Sequence, residues 1–479
     1  MTLMQAPFDI AADLDTPVSA YLKLKQEACH VSALQPRFLL ESVEGGERLA
    51  RYSFLGLGPG PTLELYADRL VVDGQKSQRP ESESEWLSVL RETLNRSPEL
   101  YPRIDSVPFS GGLVGAYGYD VVRYFEKLPP NQAELSGLQQ AALIAPTSLL
   151  VFDHLTRRVA LLHSGTENER QQLRSQVIHA LHQGINHRTH SHHSDQLKKR
   201  RFSEATGSLD KSEFIAGVER CKTHIAAGDI YQIVLSIRFS GKTDLDPFQC
   251  YRAMRLLNPS PYMYFFELGD LKIAGSSPEA LVRLDQQEAS LRPIAGTRPR
   301  GETAKLDAAL ETELLADPKE NAEHVMLVDL ARNDLGRVAK AGSVHVDPYK
   351  KIERYSHVMH IVSGVRGKLA EEHDALDLFA AAFPAGTLVG APKVRAMELI
   401  TEMEPISRGL YGGTVGYLSK NGNMDQAITI RTMVFNGNEY SFQAGAGIVA
   451  DSNPEHEYQE VLSKSAILKR ALEIVEKGL

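Results

Sequence analysis

Two pairs of acidic residues have the spacing of side chains that share one face of a helix. Glu320 and Glu323 lie three apart in DPKENAEHVMLVDLARNDLGR, and Glu457 and Glu460 repeat that spacing in NPEHEYQEVLSKSAIL. Each acid taken alone could simply be solvated, but four carboxylates brought together would repel unless a divalent cation lay between them. Their hard oxygen atoms suit magnesium, so the pattern predicts a Mg²⁺ site completed by an oxygen of a bound acid or phosphate.

Several further motifs are typical of contacts to a small anion. Arg431 is a polar residue in the apolar run ITIRTMVF, while Gly445 and Gly447 in QAGAGIVA leave backbone N–H groups open to close approach. PAGTLVGAPK is a turn that leads into a predicted helix, whose N-terminus can hold an anion. It lacks the spacing and the ending of a P-loop. Together these motifs favour a small polyanionic ligand without nucleotide character.

The segments that must position these residues have helical and strand patterns. In the N-terminal half, Asp15 or Thr16 caps a predicted helix that begins at Pro17, and the strand-like runs are FLLES, LELYA, RLVV, FSGGLVGAYGY, LLVFD and RVALLH. In the C-terminal half, the helix in DKSEFIAGVERCKTHIAAGD should stop at Gly228, and the strand-like runs are IYQIVLSIRF, YMYFFEL, LKIAGSS, VMHIVSGV, GTVGYLS, QAITIRTMVF and YSFQAGAGIVA. Short turns such as 268–270 favour antiparallel neighbours. The predicted fold class is α+β, with mostly antiparallel sheets packed with helices.

A polar segment divides the chain into two predicted domains. The stretch HQGINHRTHSHHSDQLKKRR, residues 182–201, has no apolar period, and we interpret it as a linker rather than a metal site despite its histidines. The predicted boundaries are 1–181 for an N-terminal domain, 182–205 for the linker and 206–479 for the catalytic domain.

Composition limits the cellular setting and the partners. The 479 residues are 42% hydrophobic and carry a formal net charge of −8, which is not the basic balance of a nucleic-acid binder. Cys29, Cys221 and Cys250 lack metal-ligand or redox spacing, which favours a reducing cytoplasm without disulfides. No signal peptide is recognisable, and no run approaches the roughly 18 apolar residues of a membrane span. We expect a cytoplasmic protein that binds neither nucleic acid nor membrane.

A series of motifs resembles those of the chorismate-utilising enzymes, and within them the anthranilate-forming large subunits. In chain order the motifs are PIAGTRPRG, AEHVMLVDLARND, VMHIVS, PAGTLVGAPK, YGGTVGY, ITIRT and QAGAGIVADS. LLESVEGGERLARYSFLG near the N-terminus is similar to the same subunits, so the resemblance covers nearly the whole chain. It implies the fold of that family and a reaction in which chorismate and ammonia give anthranilate and pyruvate.

The resemblance also implies which residues meet the substrate and the metal. Magnesium would bridge the ring carboxylate of chorismate to acidic helix residues, which match Glu320, Glu323, Glu457 and Glu460. Tyr411 and Arg431 match the clamp on the enolpyruvyl carboxylate, a task that suits the planar fork of an arginine. The positions that match other substrate contacts are Gly296, Thr297, Thr387, Gly445, Ala446, Gly447 and Lys464.

Two residues match acid–base positions of the family. Glu279, in GSSPEALVR, is the matching general acid for the hydroxyl that leaves carbon 4 while ammonia adds at carbon 2, and this role requires a raised carboxyl pKa. His360, in VMHIV, matches the residue tied to pyruvate elimination. A lone His among apolar neighbours can also be a satisfied core side chain.

Two positions define the expected reaction by what they lack. Ala295, in RPIAGTRPRG, stands where the related aminodeoxychorismate synthases tend to carry a lysine that attacks the ring. Gln232, in GDIYQIVLS, stands near the general-base lysine of relatives that add water. Ammonia needs no such base, so both positions favour direct amination to the ortho product. The alternatives are an aminodeoxychorismate synthase component and a non-catalytic binder of chorismate or tryptophan.

The resemblance further implies a partner and an inhibitor. None of the cysteines lies in a Gly-rich elbow of the glutaminase kind, so a separate glutamine amidotransferase subunit is expected, in a heterotetramer. LLES and NPSPYMYFF resemble a feedback site for tryptophan, although YMYFF is also a predicted buried strand. The candidate residues of that site are Ser42, Arg51, Pro261, Tyr262 and Met263.

Overall fold

Helices and strands alternate along a computed structural model that describes residues 7–42, 51–135, 137–185, 201–354 and 358–479. The helices, labelled α1 to α10 in chain order, are Pro17–Glu27, Glu83–Arg96, Glu167–His182, Lys211–Ala227, Pro247–Leu257, Ala304–Ala316, Pro318–Gly336, Ala375–Ala382, Lys393–Met403 and Pro454–Lys477. The strands, labelled β1 to β26, are Ile10–Ala11, Pro36–Glu41, Tyr52–Leu57, Thr62–Leu65, Leu70–Val72, Gln75–Ser77, Gly112–Tyr117, Ala141–Ile144, Ser148–Asp153, Arg158–His163, Thr206–Gly207, Gln232–Lys242, Tyr262–Leu268, Leu271–Ser277, Ala280–Asp285, Glu288–Leu291, Ile294–Pro299, His345–Val346, Lys351–Arg354, Val358–Val362, Val365–Lys368, Gly390–Ala391, Thr414–Ser419, Met424–Ile428, Thr432–Asn436 and Glu439–Ile448. Short 3₁₀ turns are Ser32–Leu34, Tyr119–Tyr124 and Gly386–Leu388.

Antiparallel pairing joins these strands into two large sheets and a small one. The first sheet has the order β1-β10-β9-β3-β2-β13-β14-β25-β26-β12-β11, with β22 paired to β12 beside this path. The second has the order β18-β21-β16-β15-β24-β23-β7-β8-β4-β5-β6, and β17, β20 and β19 form the small sheet. The ladders among the described strands are antiparallel. The predicted α+β class is therefore confirmed.

The two large sheets pack through a shared aromatic core. Phe54 of the first sheet lies 6.3 Å from Tyr417 of the second, measured between ring centroids. Successive residues of β2 point into different hydrophobic cores. Phe38 packs in the aromatic core between the sheets, and Leu39 packs in another core beneath α1, α3, α5 and α10. Side chains alternate between the faces of a strand, so the first sheet has helices on one face and the second sheet on the other. Helices α7 and α8 pack into the core that includes the second sheet.

Local sequence explains where helices begin and end. Thr16 caps α1 by accepting a hydrogen bond from the Ser19 N–H at 3.1 Å, and Pro17 occupies the first helical position. Gly228 ends α4 in the left-handed conformation, with φ of +81°. Both helix predictions are confirmed.

One predicted strand is wrong in an informative way. The run QAITIRTMVF is not a single strand, because β24 ends at Ile428 in the second sheet and β25 begins at Thr432 in the first. The chain turns from one sheet to the other around Arg431, which has a φ of +49°. The corner cannot be recognised in the sequence, because the strands on both sides of it are buried and their apolar residues read as one continuous run. Arg431 is therefore a corner residue rather than a strand residue.

Both large sheets contain strands from both halves of the chain. In the first sheet β2 pairs with β13, and in the second β7 pairs with β23. Helix α3 ends at His182 and β11 begins at Thr206, while residues 186–200 of the predicted linker lie outside the described part of the chain. The domain boundaries at 181 and 206 stay a prediction.

Candidate active site

The start of α7 fixes the first acidic pair. Asp317 caps the helix and accepts hydrogen bonds from the backbone N–H groups of Lys319 and Glu320 at 3.0 and 3.2 Å. The Arg298 guanidinium on β17 donates to Asp317 at 2.8 Å and to Glu320 at 3.4 Å. These contacts hold the first turn of α7, and Glu320 with it, against the small sheet.

The start of α10 carries the second acidic pair. Asn453 caps this helix by accepting from the N–H groups of Glu455 and His456 at 3.0 and 3.2 Å. Lys464, one turn after Glu460, pairs with that residue at 2.7 Å and donates to the carbonyl of Gly445 at 3.0 Å. The lysine therefore ties the acidic turn of α10 to the glycine-rich end of β26.

The two acidic pairs lie within electrostatic range of each other. Burial raises the pKa of Glu323, and the charges of Glu320 on the same helix and Glu460 on α10 raise it further. Burial and the charge of Glu460 likewise raise the pKa of Glu457. The side-chain amide of Gln232, at the start of β12, donates to Glu323 at 3.4 Å. Carboxylates from helices distant in sequence thus converge on one region.

The chemistry of these acids suits a magnesium ion. Among the described residues, no group of three or more His, Cys, Asp or Glu side chains is arranged to hold a metal ion on its own. Mg²⁺ commonly takes one or two carboxylates and completes its octahedron with water and ligand oxygens. Burial and the negative charge of neighbouring acids raise the pKa of Glu323 and of Glu457. Carboxylates in that setting fit this mode of binding, in which a bound acid supplies further oxygens.

Glu279 has the environment of a proton donor. It precedes β15, and its carboxylate accepts a hydrogen bond from the Thr387 hydroxyl at 3.0 Å. Burial raises the pKa of Glu279 to about 7, although the Thr387 hydrogen bond and the charges of Arg431 and Lys464 oppose that rise. A substantial share of this carboxyl group is therefore protonated at neutral pH.

His360 and Gly296 face each other across the small sheet. The register shifts between Ala295 and Thr297, and Gly296 sits in this bulge with φ of +67°. His360 Nδ1 lies 3.0 Å from the Gly296 carbonyl and 3.1 Å from the Thr297 hydroxyl. A carbonyl can only accept, so Nδ1 carries the proton, and burial lowers the pKa of the ring. His360 is therefore neutral at neutral pH, with its tautomer fixed.

Arg431 and Tyr411 border the same region. The corner conformation of Arg431 places its charge near Glu279 and His360. This charge lowers the pKa of both groups, and burial has a larger effect on each. Tyr411 is buried, and a β-carbon added at Gly445 would come within 2.8 Å of its hydroxyl oxygen. A side chain at Gly445 would therefore collide with the tyrosine.

The glycines of β26 let other side chains approach the backbone closely on one face of the strand. A β-carbon at Gly447 would lie 2.9 Å from the Gln232 amide nitrogen. Ala446, between Gly445 and Gly447, points to the other face and is fully buried in the core. Among these three candidates, the glycines face the site and the alanine side chain does not.

The contacts join the sequence candidates into one site. Its described groups are the partly protonated carboxyl group of Glu279, the imidazole of His360, cations from Arg431 and Lys464, and two acidic pairs. Such a set can bind a small molecule with more than one carboxylate and move protons on it.

A separate cavity of about 110 Å³ lies between the two large sheets. Four of the five candidates for a tryptophan site line it, namely Ser42, Pro261, Tyr262 and Met263. Arg51 is not among its lining residues, and it pairs with Asp153 at 3.2 Å.

Sequence reasoning missed two groups of residues. Asp425 and Arg283 line the cavity, and Tyr262 donates to Asp425 at 3.1 Å; an acid in the apolar run MDQAI was the available signal. Arg408 and Glu404 form a buried ion pair at 2.7 Å. The signal for that pair was a charged residue in SRGLYGG, next to the Tyr411 motif.

Comparison with known proteins identifies the class to which this site belongs. A family model described as "chorismate binding enzyme" matches residues 35–470. The chain belongs to this family of chorismate-binding enzymes.

The most similar relatives share one name within that class. "Anthranilate synthase component 1" of Acetivibrio thermocellus is 42% identical over 480 residues, covering 98% of this chain and 95% of that protein. The protein of the same name from Pseudomonas aeruginosa is 44% identical over 484 residues, covering 98% and 96%. The crystal structure of anthranilate synthase component I from Streptococcus pneumoniae TIGR4 superposes with a TM-score of 0.77 at 35% identity, over 89% of this chain and 94% of that one.

A more distant structure shares the fold. The menaquinone-specific isochorismate synthase MenF from Escherichia coli superposes with a TM-score of 0.66 at 20% identity, over 95% of this chain and 91% of that one. In the described ranges, no helix combines the length and the apolar character that a membrane crossing requires.

Proposed function

We propose that this chain is the chorismate-converting large subunit of an anthranilate synthase. Chorismate and ammonia would give anthranilate, pyruvate and water. The observation that carries the proposal is the placement of the buried Glu279 carboxyl group, whose pKa burial raises to about 7, beside Thr387 and within range of the charges of Arg431 and Lys464. The relatives at 42% and 44% identity carry the name of that subunit.

Chorismate would lie between the arginine corner and the acidic helices. Arg431 and Tyr411 would hold the enolpyruvyl carboxylate, since a guanidinium binds a carboxylate through two parallel hydrogen bonds. The backbone at Gly445 and Gly447 would approach the substrate closely, and the other proposed contacts are Gly296, Thr297, Thr387 and Lys464. Glu320, Glu323, Glu457 and Glu460 would hold Mg²⁺, which when bound neutralises the ring carboxylate and the acidic pairs.

The first step would use the proton of Glu279. Ammonia adds at ring carbon 2, the bond from carbon 4 to its hydroxyl breaks, and Glu279 supplies the proton that converts the hydroxyl to water. A carboxyl group with a pKa of about 7 carries its proton in a substantial share of molecules at neutral pH and gives it up readily. The Thr387 hydroxyl fixes the orientation of this carboxyl group.

The second step would use the neutral ring of His360. The proton on ring carbon 2 is removed as the bond from carbon 3 to the enolpyruvyl oxygen breaks, so that the ring becomes aromatic. The enolate of pyruvate leaves and takes up a proton at its methylene carbon to become pyruvate. Burial keeps the imidazole in the form that can accept a proton. Its hydrogen bond to the Gly296 carbonyl fixes which nitrogen carries the existing proton.

Two side chains would restrict the reaction to ammonia and to the ortho position. Ala295 is 8% exposed on β17 and offers no nucleophile to the ring. Gln232 donates to Glu323 and has no basicity with which to activate water. A product with the amino group at carbon 4 would overturn this part of the proposal.

Partner, inhibitor and location complete the proposal. Ammonia would come from a glutamine amidotransferase subunit in a heterotetramer, and tryptophan would inhibit by binding the cavity between the sheets. The segment 1–181 would contribute Ser42 to that cavity, while 206–479 would hold the catalytic residues. None of the three cysteines forms a disulfide, which supports a cytoplasmic location.

The direct test is an assay of the purified full chain with chorismate, magnesium and an ammonium salt. Anthranilate fluorescence should appear, and EDTA should abolish it. The partner subunit should make glutamine a substitute for the ammonium salt, and tryptophan should inhibit both reactions. Absence of anthranilate under all of these conditions would contradict the proposed function.

A further inference from the structure

A fully buried ion pair lies behind the candidate active site. Arg408 is 2% exposed and donates to the two carboxylate oxygens of Glu404 at 2.8 and 2.7 Å. Neither residue has a part in the chemistry proposed above. Removing two charges from water costs more than burying apolar side chains of the same volume. The pair therefore calls for a role other than stability.

The other hydrogen bonds of Arg408 go to backbone that carries site residues. Its guanidinium donates to the carbonyl of Leu388 at 2.7 Å and to that of Val234 on β12 at 2.8 Å. Leu388 directly follows Thr387, the residue that donates to Glu279 at 3.0 Å. Arg408 is thus one residue away from the hydrogen bond that orients the proposed acid.

Glu404 holds the neighbouring strands. Its carboxylate accepts from the N–H and the hydroxyl of Ser236 at 3.0 and 2.7 Å, and Gln443 donates to that hydroxyl at 2.8 Å. Ser236 is the register partner of Gly445 in the pairing of β12 with β26. The carboxylate therefore fixes the ladder that presents the glycine backbone to the site.

Arg408 also supports the ring of Tyr411. The guanidinium carbon lies 5.6 Å from the Tyr411 ring centroid and 4.8 Å from that of Tyr119, both within the range of cation–π attraction. The Tyr411 N–H donates to the Arg408 carbonyl at 3.2 Å. One side chain thus contacts the turn at Leu388, strand β12 and the tyrosine together.

We propose that Arg408 is a positioning residue, which together with Glu404 fixes the Thr387 turn, strand β12 and the Tyr411 ring relative to one another. This inference rests on the proposed function, because it assigns the buried pair to the placement of Glu279 and of the substrate clamp. The pair need not contact chorismate to do so. A displacement of about 1 Å in such a site can cost on the order of a hundredfold in rate.

The test separates positioning from stability with an apolar replacement of the whole pair. Arg408→Met alone leaves Glu404 charged and buried, so its melting temperature should fall clearly. The double variant Arg408→Met/Glu404→Met removes both charges, and its melting temperature should return to near that of the wild type. Its kcat for anthranilate formation with ammonium should remain at least about tenfold low, because Leu388 and Val234 have still lost their donor.

A conservative variant keeps the test decisive if the double variant folds poorly. Arg408→Lys retains the positive charge beside Glu404, but one ammonium group cannot replace the planar fork that reaches Leu388, Val234 and Glu404 together. Its kcat should fall several-fold at a nearly unchanged melting temperature. The basic limb of its kcat profile should move to higher pH, because a displaced Thr387 no longer donates to Glu279, while Arg431 and Lys464 continue to face that carboxyl group.

A matched pair far from the site supplies the control. Arg174 and Asp9 form an ion pair at 2.8 Å whose side chains are 18% and 7% exposed. The variant Arg174→Met/Asp9→Leu should keep the kcat and the pH profile of the wild type. Wild-type kcat in folded Arg408→Lys, or in a double variant of restored melting temperature, would overturn the inference while leaving the proposed function in place. An inactive wild type would overturn the proposed function and this inference with it.

Discussion

Glu279 and Thr387 together decide the pH range in which the proposed first step can run. The active form of Glu279 is the protonated one, and burial raises its pKa to about 7. The proportion of active enzyme must therefore fall as pH rises through that value. The Thr387 hydroxyl works against burial, since a hydrogen bond to the carboxylate favours the charged form.

Thr387→Val should move the basic limb of the kcat profile to higher pH, because it removes a hydrogen bond that favours the carboxylate form of Glu279. The limb is measured from anthranilate formation across pH 5.5 to 9, roughly the range that brackets a carboxyl pKa near 7. Glu279→Gln is the control: it should lose about 10²- to 10⁴-fold in rate and show no limb from this residue. An unmoved limb in Thr387→Val would contradict the assignment of the limb to Glu279.

At the scale of elements, the bulge in β17 links the small sheet to the acidic helix. Gly296 has φ of +67°, and a β-carbon there would lie 3.0 Å from Leu314 and 3.1 Å from a carboxylate oxygen of Glu320. A longer residue in the bulge would therefore press on the acidic pair as well as strain the backbone.

Gly296→Ala should lose about 1–2 kcal/mol of stability from its left-handed backbone and should also raise the magnesium concentration needed for half-maximal activity. Gly437→Ala is the matched control, since Gly437 has φ of +58° and no atom within 4 Å of an added β-carbon. The control should lose similar stability in thermal unfolding and keep its magnesium dependence. If both variants have the same magnesium dependence as the wild type, Gly296 does not influence the acidic pair.

The convergence of α7 and α10 leads to a prediction about the metal. Glu323→Gln and Glu460→Gln should each raise the magnesium concentration for half-maximal activity about tenfold or more, because each removes a charged oxygen donor. Asp329→Asn, on the same helix as Glu323 with a side chain 62% exposed, should leave that concentration unchanged. Magnesium titrations of anthranilate formation compare the three variants, and equal curves would remove the acidic pairs from the metal site.

Helices and strands could be predicted from the sequence where a single local pattern, such as a cap or an apolar run, marks them. Thr16 and Pro17 mark the start of α1, Gly228 marks the end of α4, and YMYFFEL corresponds to β13 without adjustment. The corner at Arg431 was not readable, because two buried strands of different sheets flank it and their apolar runs merge into one. Which sheet a strand joins is decided by pairing with distant segments, and that information is not local.

The candidate site residues could be proposed from motifs in the sequence, but the side chains that support them could not. Glu279, His360 and Arg431 stand in recognisable motifs, whereas the partner of a buried charge depends on the fold. Arg408 meets Glu404 at a separation of i,i+4 in the sequence, yet its hydrogen bonds to Leu388 and Val234 join segments far apart in the chain. The ion pair between Arg51 and Asp153 is likewise a long-range contact that the motif around Arg51 did not predict.

At the scale of the whole molecule, one strand runs from the cavity between the sheets to the active site. Asp425 lines the cavity at one end of β24, and Arg431 follows the other end of the same strand at the corner. A ligand that shifts β24 would act on both sites, which is the physical requirement for coupling between them.

Ser42→Ala should weaken inhibition by tryptophan about tenfold, the cost of one hydrogen bond to a charged ligand group. Within the described part of the chain, the Ser42 hydroxyl is buried without a hydrogen-bond partner, so its removal should not lower the melting temperature in the absence of tryptophan. The activity without inhibitor should also be unchanged. Inhibition curves with and without the substitution check this, and coinciding curves would exclude Ser42 from the tryptophan site.

The pairing of β2 with β13 and of β7 with β23 has a consequence for biosynthesis. While the ribosome is still translating, the first half of the protein has emerged with open strand edges whose partners do not yet exist. Neither sheet can close until the later segments have been made, so a fragment that stops before β13 should be captured by chaperones or aggregate. A mature chain nicked by a protease between the halves should, by the same reasoning, remain together as a non-covalent complex.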